Sequence, residues 1–224
     1  SDQTETTYML NDDLIQVGSK TVSTQSDFNN SGQLTDRTIT TSGTNGSGIF
    51  TVETSNTYTN GYSTRRQGEI TSASVTSNAP NQASITRTSS FEYDWSKGHI
   101  VKEVIEPGDA DPSITRVSRY GYDSFGNRIS TVTCDGNYEN SCTTSSTGAR
   151  YSTVQFSSDG LFAESATNAL GHTTSTVRDA RFGVVTSTTD INGLTSSSNY
   201  DSLGRKISST NAFNQTATIT REWC

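Results

Sequence analysis

The chain has 224 residues, is 29% apolar and carries a formal net charge of −7, with 16 Lys and Arg against 23 Asp and Glu. A pI near 4.8 supplies no positive field for a phosphate backbone, so nucleic acid is excluded as an expected partner. Apolar runs stop at three or four residues, far short of the roughly 18 needed for a membrane-spanning helix, so no membrane span is expected.

About a third of the residues are Ser or Thr, and Thr, branched at Cβ, suits a pleated strand. Low apolar content with modest charge therefore reads as polar strands rather than as disorder. Ser1 stands where an initiating Met would be and no signal-like segment follows, which reads as a processed or excised chain.

Residues 1–84 show strand-like alternation without a clean repeat. Ile15 and Val17, then Phe50, Val52 and Tyr58, read as half-buried strands. Asn29-Asn30-Ser31-Gly32 reads as a degenerate corner preceded by Asp27-Phe28. Ser42 to Gly48, rich in Gly and Asn, reads as a hairpin loop, with a flexible link as the other reading. Pro80 cannot donate to a ladder and belongs at a turn or an edge.

From Ala83 the alternation strengthens. Ile85, Arg87, Ser89, Phe91, Tyr93 and Trp95 are expected on one buried face. A strand then returns over Ile100 to Ile105, a turn follows through Pro107-Gly108 and Pro112, and Ile114 to Tyr122 leads to the next corner. Glu164 to Leu170 is the one short candidate for a helical turn.

One octet is copied. Tyr122-Asp123-Ser124-Phe125-Gly126-Asn127-Arg128-Ile129 returns as Tyr200-Asp201-Ser202-Leu203-Gly204-Arg205-Lys206-Ile207. Each copy reads as a strand ending at Tyr, a tight turn opened by Asp and closed by Gly, and a new strand. The Asp side chain bonds backbone N–H groups just ahead of it, and Gly accepts positive φ. Weaker copies stand at Tyr93-Asp94 to Gly98, at Asp159-Gly160 and at Asp179 to Gly183. Asp159, Asp179 and Asp201 are about 20 to 22 residues apart, a spacing typical of repeat architectures. A second kind of corner alternates with the first, at Asn168 to Thr174, Asp190 to Thr195 and Asn211 to Thr216. Tyr93, Tyr122 and Tyr200 read as packing residues on neighbouring hairpins, and Asp94, Asp123 and Asp201 as turn formers.

The pattern over residues 91–224 resembles the YD-repeat, or RHS, family of large bacterial proteins, whose relatives include toxin-complex shells and animal teneurins. The resemblance implies consecutive antiparallel β-hairpins in a twisted, curved ribbon, all-β with few or no helices, forming part of a shell. Residues 1–84 are then a Ser/Thr-rich β segment of degenerate repeats, and 85–224 a hairpin array truncated at its C-terminus. The family's self-cleavage region carries a D-P-x-G-L element. Asp190-Ile191-Asn192-Gly193-Leu194 has Ile in place of Pro and is followed by further repeats, so it reads as a corner and no autoproteolysis is expected.

Cys134 and Cys142 bracket a turn-rich stretch that can bring the thiols within bridging distance. A bridge places the chain outside the cytosol, secreted or at a cell surface. Two free thiols in a cytosolic protein is the other reading.

Candidate chemistry is sparse. His99 and His172 lack partners at metal-ligand spacing, no G-x-S-x-G elbow surrounds a serine, and the acidic turns at Asp109 and Asp135 lack the Gly and Glu of a calcium loop. No enzyme, metal or cofactor is expected. Two function classes remain. One is a structural repeat segment of a secreted or surface protein that encloses or presents another domain, with the remaining repeats or flanking domains of the same polypeptide as partners. The other is a module for a glycan or protein receptor that uses Trp95, Phe125 and Phe213 as ligand-facing aromatics.

Overall fold

The computed structural model describes residues 2–10, 16–43, 48–59 and 68–220. Ile15, the centre of the loop after Ser42, and Trp223-Cys224 lie outside the described residues.

Over these residues the chain is all-β, sixteen strands forming one open sheet in strict sequence order. The strands are β1 Asp2–Leu10, β2 Gln16–Phe28, β3 Leu34–Gly43, β4 Ile49–Tyr58, β5 Ile70–Asn78, β6 Ile85–Asp94, β7 His99–Ile105 and β8 Arg116–Tyr122. They continue as β9 Arg128–Asp135, β10 Arg150–Phe156, β11 Ala163–Thr167, β12 Thr173–Arg178, β13 Val185–Thr189, β14 Thr195–Tyr200, β15 Lys206–Thr210 and β16 Thr216–Thr218. Among the described residues the one helical element is a 3-10 turn, Gly136–Tyr138, capped by the Asp135 carboxylate. The stretch from Glu164 to Leu170 is strand β11 followed by a corner, not a helical turn, because Ser165 to Thr167 pair with Thr173 to Ser175.

Contacts divide the chain into two compact units. The first is Ser1–Val117 with Asp135–Asn140; the second is Ser118–Cys134 with Ser141–Cys224. Strands of 9 to 13 residues make up β1 to β6 of the first unit, and strands of 5 to 7 residues make up β10 to β15 of the second.

The buried apolar set among the described residues is Val104, Val117, Cys134 and Cys142. Stability therefore comes from ladders and cross-strand pairs, each worth roughly 0.2–1 kcal/mol. Thr hydroxyls meet across the sheet at 2.7 Å for Thr167 and Thr173, 2.8 Å for Thr189 and Thr195, and 2.9 Å for Thr210 and Thr216. Each pair flanks a corner, reading Thr-Asx-x-x-Gly/Asn-x-Thr in sequence. One buried charge joins the core: Lys102 Nζ reaches Glu92 Oε1 directly across the β6–β7 hairpin at 2.7 Å.

A register break recurs at the strand ends. It falls between Asp27 and Phe28, Thr57 and Tyr58, Glu92 and Tyr93, Gln155 and Phe156, Val177 and Arg178, and Asn199 and Tyr200. At the last of these, Tyr200 pairs with Lys206 and Ile207 is the extra residue. Such a bulge resets which face the following side chains occupy. This corrects the single buried face expected over residues 85–95. Ile85, Arg87, Ser89, Phe91 and Tyr93 alternate along β6, but Ile85 is well exposed and Arg87 with it, and Trp95 lies in the corner beyond the strand; the break at Glu92/Tyr93 leaves Val101 of β7 as the extra residue.

The turn at Gly204 and the one at Gly193 separate backbone strain from contact. Both glycines hold left-handed φ, +75° and +77°. A Cβ at Gly204 would stand 2.9 Å from the Phe182 ring, whereas one at Gly193 would meet nothing. Gly193→Ala is expected to cost about 1 kcal/mol and Gly204→Val about 2–3 kcal/mol by denaturant melts. Equal losses at both sites would remove the Phe182 contact from the account.

Candidate functional site

The corners are where this sequence concentrates its specific chemistry. Asp201 Oδ1 accepts from the N–H of Leu203 at 3.0 Å and of Arg205 at 2.9 Å. The Asp201 N–H donates to the Arg205 carbonyl, and the Gly204 N–H to the Asp201 carbonyl. The same four bonds close the corners that begin at Asn29, Asp123, Asn168 and Asp190. They also close the corner that begins at Asn211, where Asn214, at φ +61°, holds the place that Gly holds elsewhere. Asp94 and Asp179 open corners one residue longer, closed by Gly98 and Gly183 on the Asp carbonyls. Asp159 sits inside a corner that Ser157 opens, and its carboxylate accepts from the Leu161 N–H.

Six carboxyls are held below the ordinary Asp range by these bonds. The Arg205 N–H is the largest cause at Asp201, the Arg181 side chain at Asp179, and the Ser96, Ser113 and Ser157 hydroxyls at Asp94, Asp111 and Asp159. Partial desolvation pulls Asp123 the other way, and bonds from the Asn127 amide and backbone outweigh it.

Along the edge that carries the Tyr-Asp corners, each corner is built against its neighbours. Tyr58, Tyr93 and Tyr200 donate their hydroxyls to the carbonyls of Leu34, Ile70 and Val185 at 2.7, 2.9 and 2.7 Å. Each acceptor is the first residue of its strand, β3, β5 and β13 in turn. Burial, with Glu69 nearby, pushes the Tyr93 phenol up. Tyr122 closes β8 in the copied octet.

In the second unit, ring contacts run forward along the same edge. Phe125 lies where a side chain on Gly160 would be, Phe162 faces Gly183, and Phe182 faces Gly204. The Asn127 amide also donates to the Gly160 carbonyl at 2.8 Å. Phe125, named above as a ligand-facing aromatic, is thus half of a corner-to-corner contact, although much of its ring stays exposed. The roles of Phe162 and Phe182 went unread in the sequence. Their signal is an aromatic within two positions of a corner glycine, as in Gly160-Leu161-Phe162 and Phe182-Gly183.

The opposite edge is different. Gly171 and Gly193 have nothing near their Cβ positions, and the tips there present Leu170 at 74% and Phe213 at 77% exposure. Trp95, on the Tyr-Asp edge, lies 5.4 Å from the Tyr93 ring and is partly exposed. The structure does not gather Trp95, Phe125 and Phe213 into one place. Each belongs to a different corner.

Two adjoining clefts open beside the stacked corners of the second unit and share Gln155, Ser157 and Ser158. One, about 470 Å³, is lined by Phe125, Tyr151, Thr153 and Phe156; the other, about 530 Å³, by Phe162, Ser175, Val177 and Arg178. Their lining of hydroxyls, amides and aromatic rings, with Asp159, Glu164 and Arg178 in the second, offers hydrogen bonds, charge and stacking.

No protein-family model matches the chain, and no curated protein matches it. Among solved structures, the chain is similar to a mutant Tc holotoxin pore from Photorhabdus luminescens, at 12% identity and a TM-score of 0.47, over 96% of this chain and 13% of that one. It is also similar to a porin-like protein from Bacteroides uniformis, at 16% identity and a TM-score of 0.24, over 97% of this chain and 93% of that one. The chain thus spans 13% of the length of the first. Both scores are below 0.5, and the fold rests on this chain's own ladder.

His99 opens β7 opposite Asp94, while His172 lies in an opposite-edge corner. Among the described residues no group of three or more His, Cys, Asp or Glu is placed to hold a metal ion, and no helix is long and apolar enough to cross a membrane. Cys134 and Cys142 form a disulfide with Cα atoms 5.8 Å apart. It closes the irregular connection between β9 and β10, and the Gly136 N–H donates to the Pro112 carbonyl beside it.

The corner carboxylates make the fold acid-sensitive. Their folded pKa values lie below the unfolded value of about 3.9, so their contribution is complete above roughly pH 5 and is lost as pH falls through the folded values. Asp201→Asn keeps an Oδ1 acceptor, as Asn168 and Asn211 do naturally, but loses the charged contact of Oδ2 with Arg205 Nε at 2.7 Å, so its melting temperature at pH 7 is expected slightly below that of the parent. Its melting temperature should fall less than the parent's between pH 5 and pH 2. A parallel decline would show that Asp201 is not one of the groups responsible.

Proposed function

We propose that this chain is a structural repeat segment of the YD-repeat kind, part of a β wall or stalk in a larger secreted or surface polypeptide that encloses or presents another domain. The observation that carries the reading is the relay along one edge. Phe125, Phe162 and Phe182 each fill the space over the next corner's glycine. A unit that stacks only on its neighbours builds length rather than a closed site. The copied octets at Tyr122 and Tyr200 support the family resemblance. On this reading the chain performs no reaction, and its partners are further repeats or flanking domains of the same polypeptide. The disulfide supports an oxidising location, since such bridges persist outside the cytosol.

A glycan-binding module is the second reading, favoured by the paired clefts with Phe125 and Tyr151 on their walls. An oligosaccharide array tests it: saturable binding that Tyr151→Ala abolishes would replace the structural reading.

Stepwise truncation tests the first reading. Removing hairpins one at a time from residue 220 back to residue 157 is expected to lower stability in comparable steps with proportionate loss of β signal in circular dichroism, as nearest-neighbour stacking requires. Complete unfolding at the first cut would make the second unit a single cooperative globule instead. The location is tested by alkylation of native protein. Peptides holding Cys134 and Cys142 should stay unlabelled until reduction, and melting after reduction should show a loss of about 2–3 kcal/mol for so short a loop.

A further inference from the structure

In the first unit the ladder register sorts side chains by face, because residues directly opposite each other in an antiparallel pair point the same way. One line of partners runs Gln3, Thr24, Ile39, Val52, Ser77, Ile85. The neighbouring lines on the same face run Glu5, Val22, Thr41, Phe50 and Arg37, Thr54, Val75, Arg87. Val22, Ile39, Phe50, Val52, Val75 and Ile85 therefore form one apolar field across β2 to β6. The opposite face of those strands carries Thr21, Ser23, Thr38, Thr40, Thr51, Ser74, Thr76 and Thr86, with Ile49 at its margin. Four of the six side chains of the apolar field are open, and Val22 and Ile39 are half-buried. Phe50 is 44% exposed, Val52 and Val75 each 39%, and Ile85 59%. Contiguous apolar surface of this kind marks an interaction site.

We propose that this face is a self-association surface, on which a second copy of the chain packs its own apolar face to make a two-layer β-sandwich. Area supports that occupant. Taken whole, with the polar positions around the apolar field, the face of six strands of 9 to 13 residues covers about 800–900 Å² from strand spacing and rise, close to the roughly 800 Å² per partner of a standard stable interface. Charge supports it as well. The chain carries −7, yet this face over β1 to β7 holds only Glu5, Lys20, Arg37, Arg87 and Glu103, of mixed sign. Two such faces meet without the repulsion that the rest of the acidic surface would impose. The Ser/Thr faces then point outward to water on both sides, the arrangement expected when two sheets pack through their apolar sides.

Sedimentation equilibrium on the 224-residue chain tests the proposal, with circular dichroism confirming strand content in each variant. The parent is expected to be a dimer at micromolar concentration. Val52→Lys and Ile85→Lys, both at exposed positions, should each weaken dimerisation about 100-fold or more while the sheet is retained. Thr40→Lys, on the opposite face, should leave the dimer intact. A parent that stays monomeric at about 100 μM, far above the dissociation constant a standard interface allows, would overturn the proposal. So would a dimer that survives both lysines, or one that Thr40→Lys disrupts equally. Two independent lysine positions guard against the misfolding of either variant.

Discussion

Much of this structure depends on one side-chain oxygen accepting two backbone N–H groups, as at the corners that begin at Asn29, Asp123, Asn168, Asp190, Asp201 and Asn211. A sheet that is polar on both faces specifies register weakly, because a one-residue slip buries nothing and exposes nothing. Ser/Thr-rich strands such as Thr195 to Tyr200 would pair in several registers with equal ease. The Asx oxygen, bonded to the second and fourth residues ahead, fixes the length of the corner, and a left-handed Gly or Asn closes it. Register is thus set at the ends of the strands rather than along them. The recurrent bulge beside the Tyr-Asp corners takes up the odd residue and lets Tyr58, Tyr93 and Tyr200 turn back to the preceding corner.

The two edges then do different work. On one, aromatic rings from one corner occupy the space left free by the next corner's glycine, so the glycine serves twice, through its φ and through its missing Cβ. On the other, Gly171 and Gly193 serve through φ alone, and cross-strand Thr pairs hold the strands together just inside each turn. All these contacts join one hairpin to the next along the sheet, so each hairpin adds its own increment of stability and the array needs no central core. The long, irregular connection between β9 and β10 lacks this corner chemistry. The Cys134–Cys142 bridge supplies the constraint there instead.

The first unit departs from this economy in one respect. Its longer strands concentrate Val, Ile and Phe on a single face, whereas the lines Thr153, Thr167, Thr173 and Gln155, Ser165, Ser175, Thr189 on the second unit's strands are polar. Long strands with one apolar face invite a second layer, while short polar strands with stacked corners extend by adding hairpins.

Much of this was legible in the sequence. The repeated Tyr-Asp-x-x-Gly octets located the corners because turn chemistry is local: an Asx side chain and a positive-φ glycine act within five residues, and no distant contact overrides them. The all-β class followed from Ser/Thr alternation, and the spacing and turn residues between Cys134 and Cys142 kept a bridge open as one of two readings. What the sequence left undecided was pairing across distance. That Phe162 and Phe182 cover Gly183 and Gly204 depends on which corners become neighbours at one edge. That Ile207 is the extra residue opposite Asn199 and Tyr200 depends on a bulge, which shifts one strand against its partner and has no mark within the strand itself. The apolar field of the first unit is the clearest case. Val22, Ile39, Phe50 and Val75 are scattered over more than fifty residues, and only the register of four strands brings them to one side, because a side chain's face is set by the partner it pairs with rather than by its place in the chain.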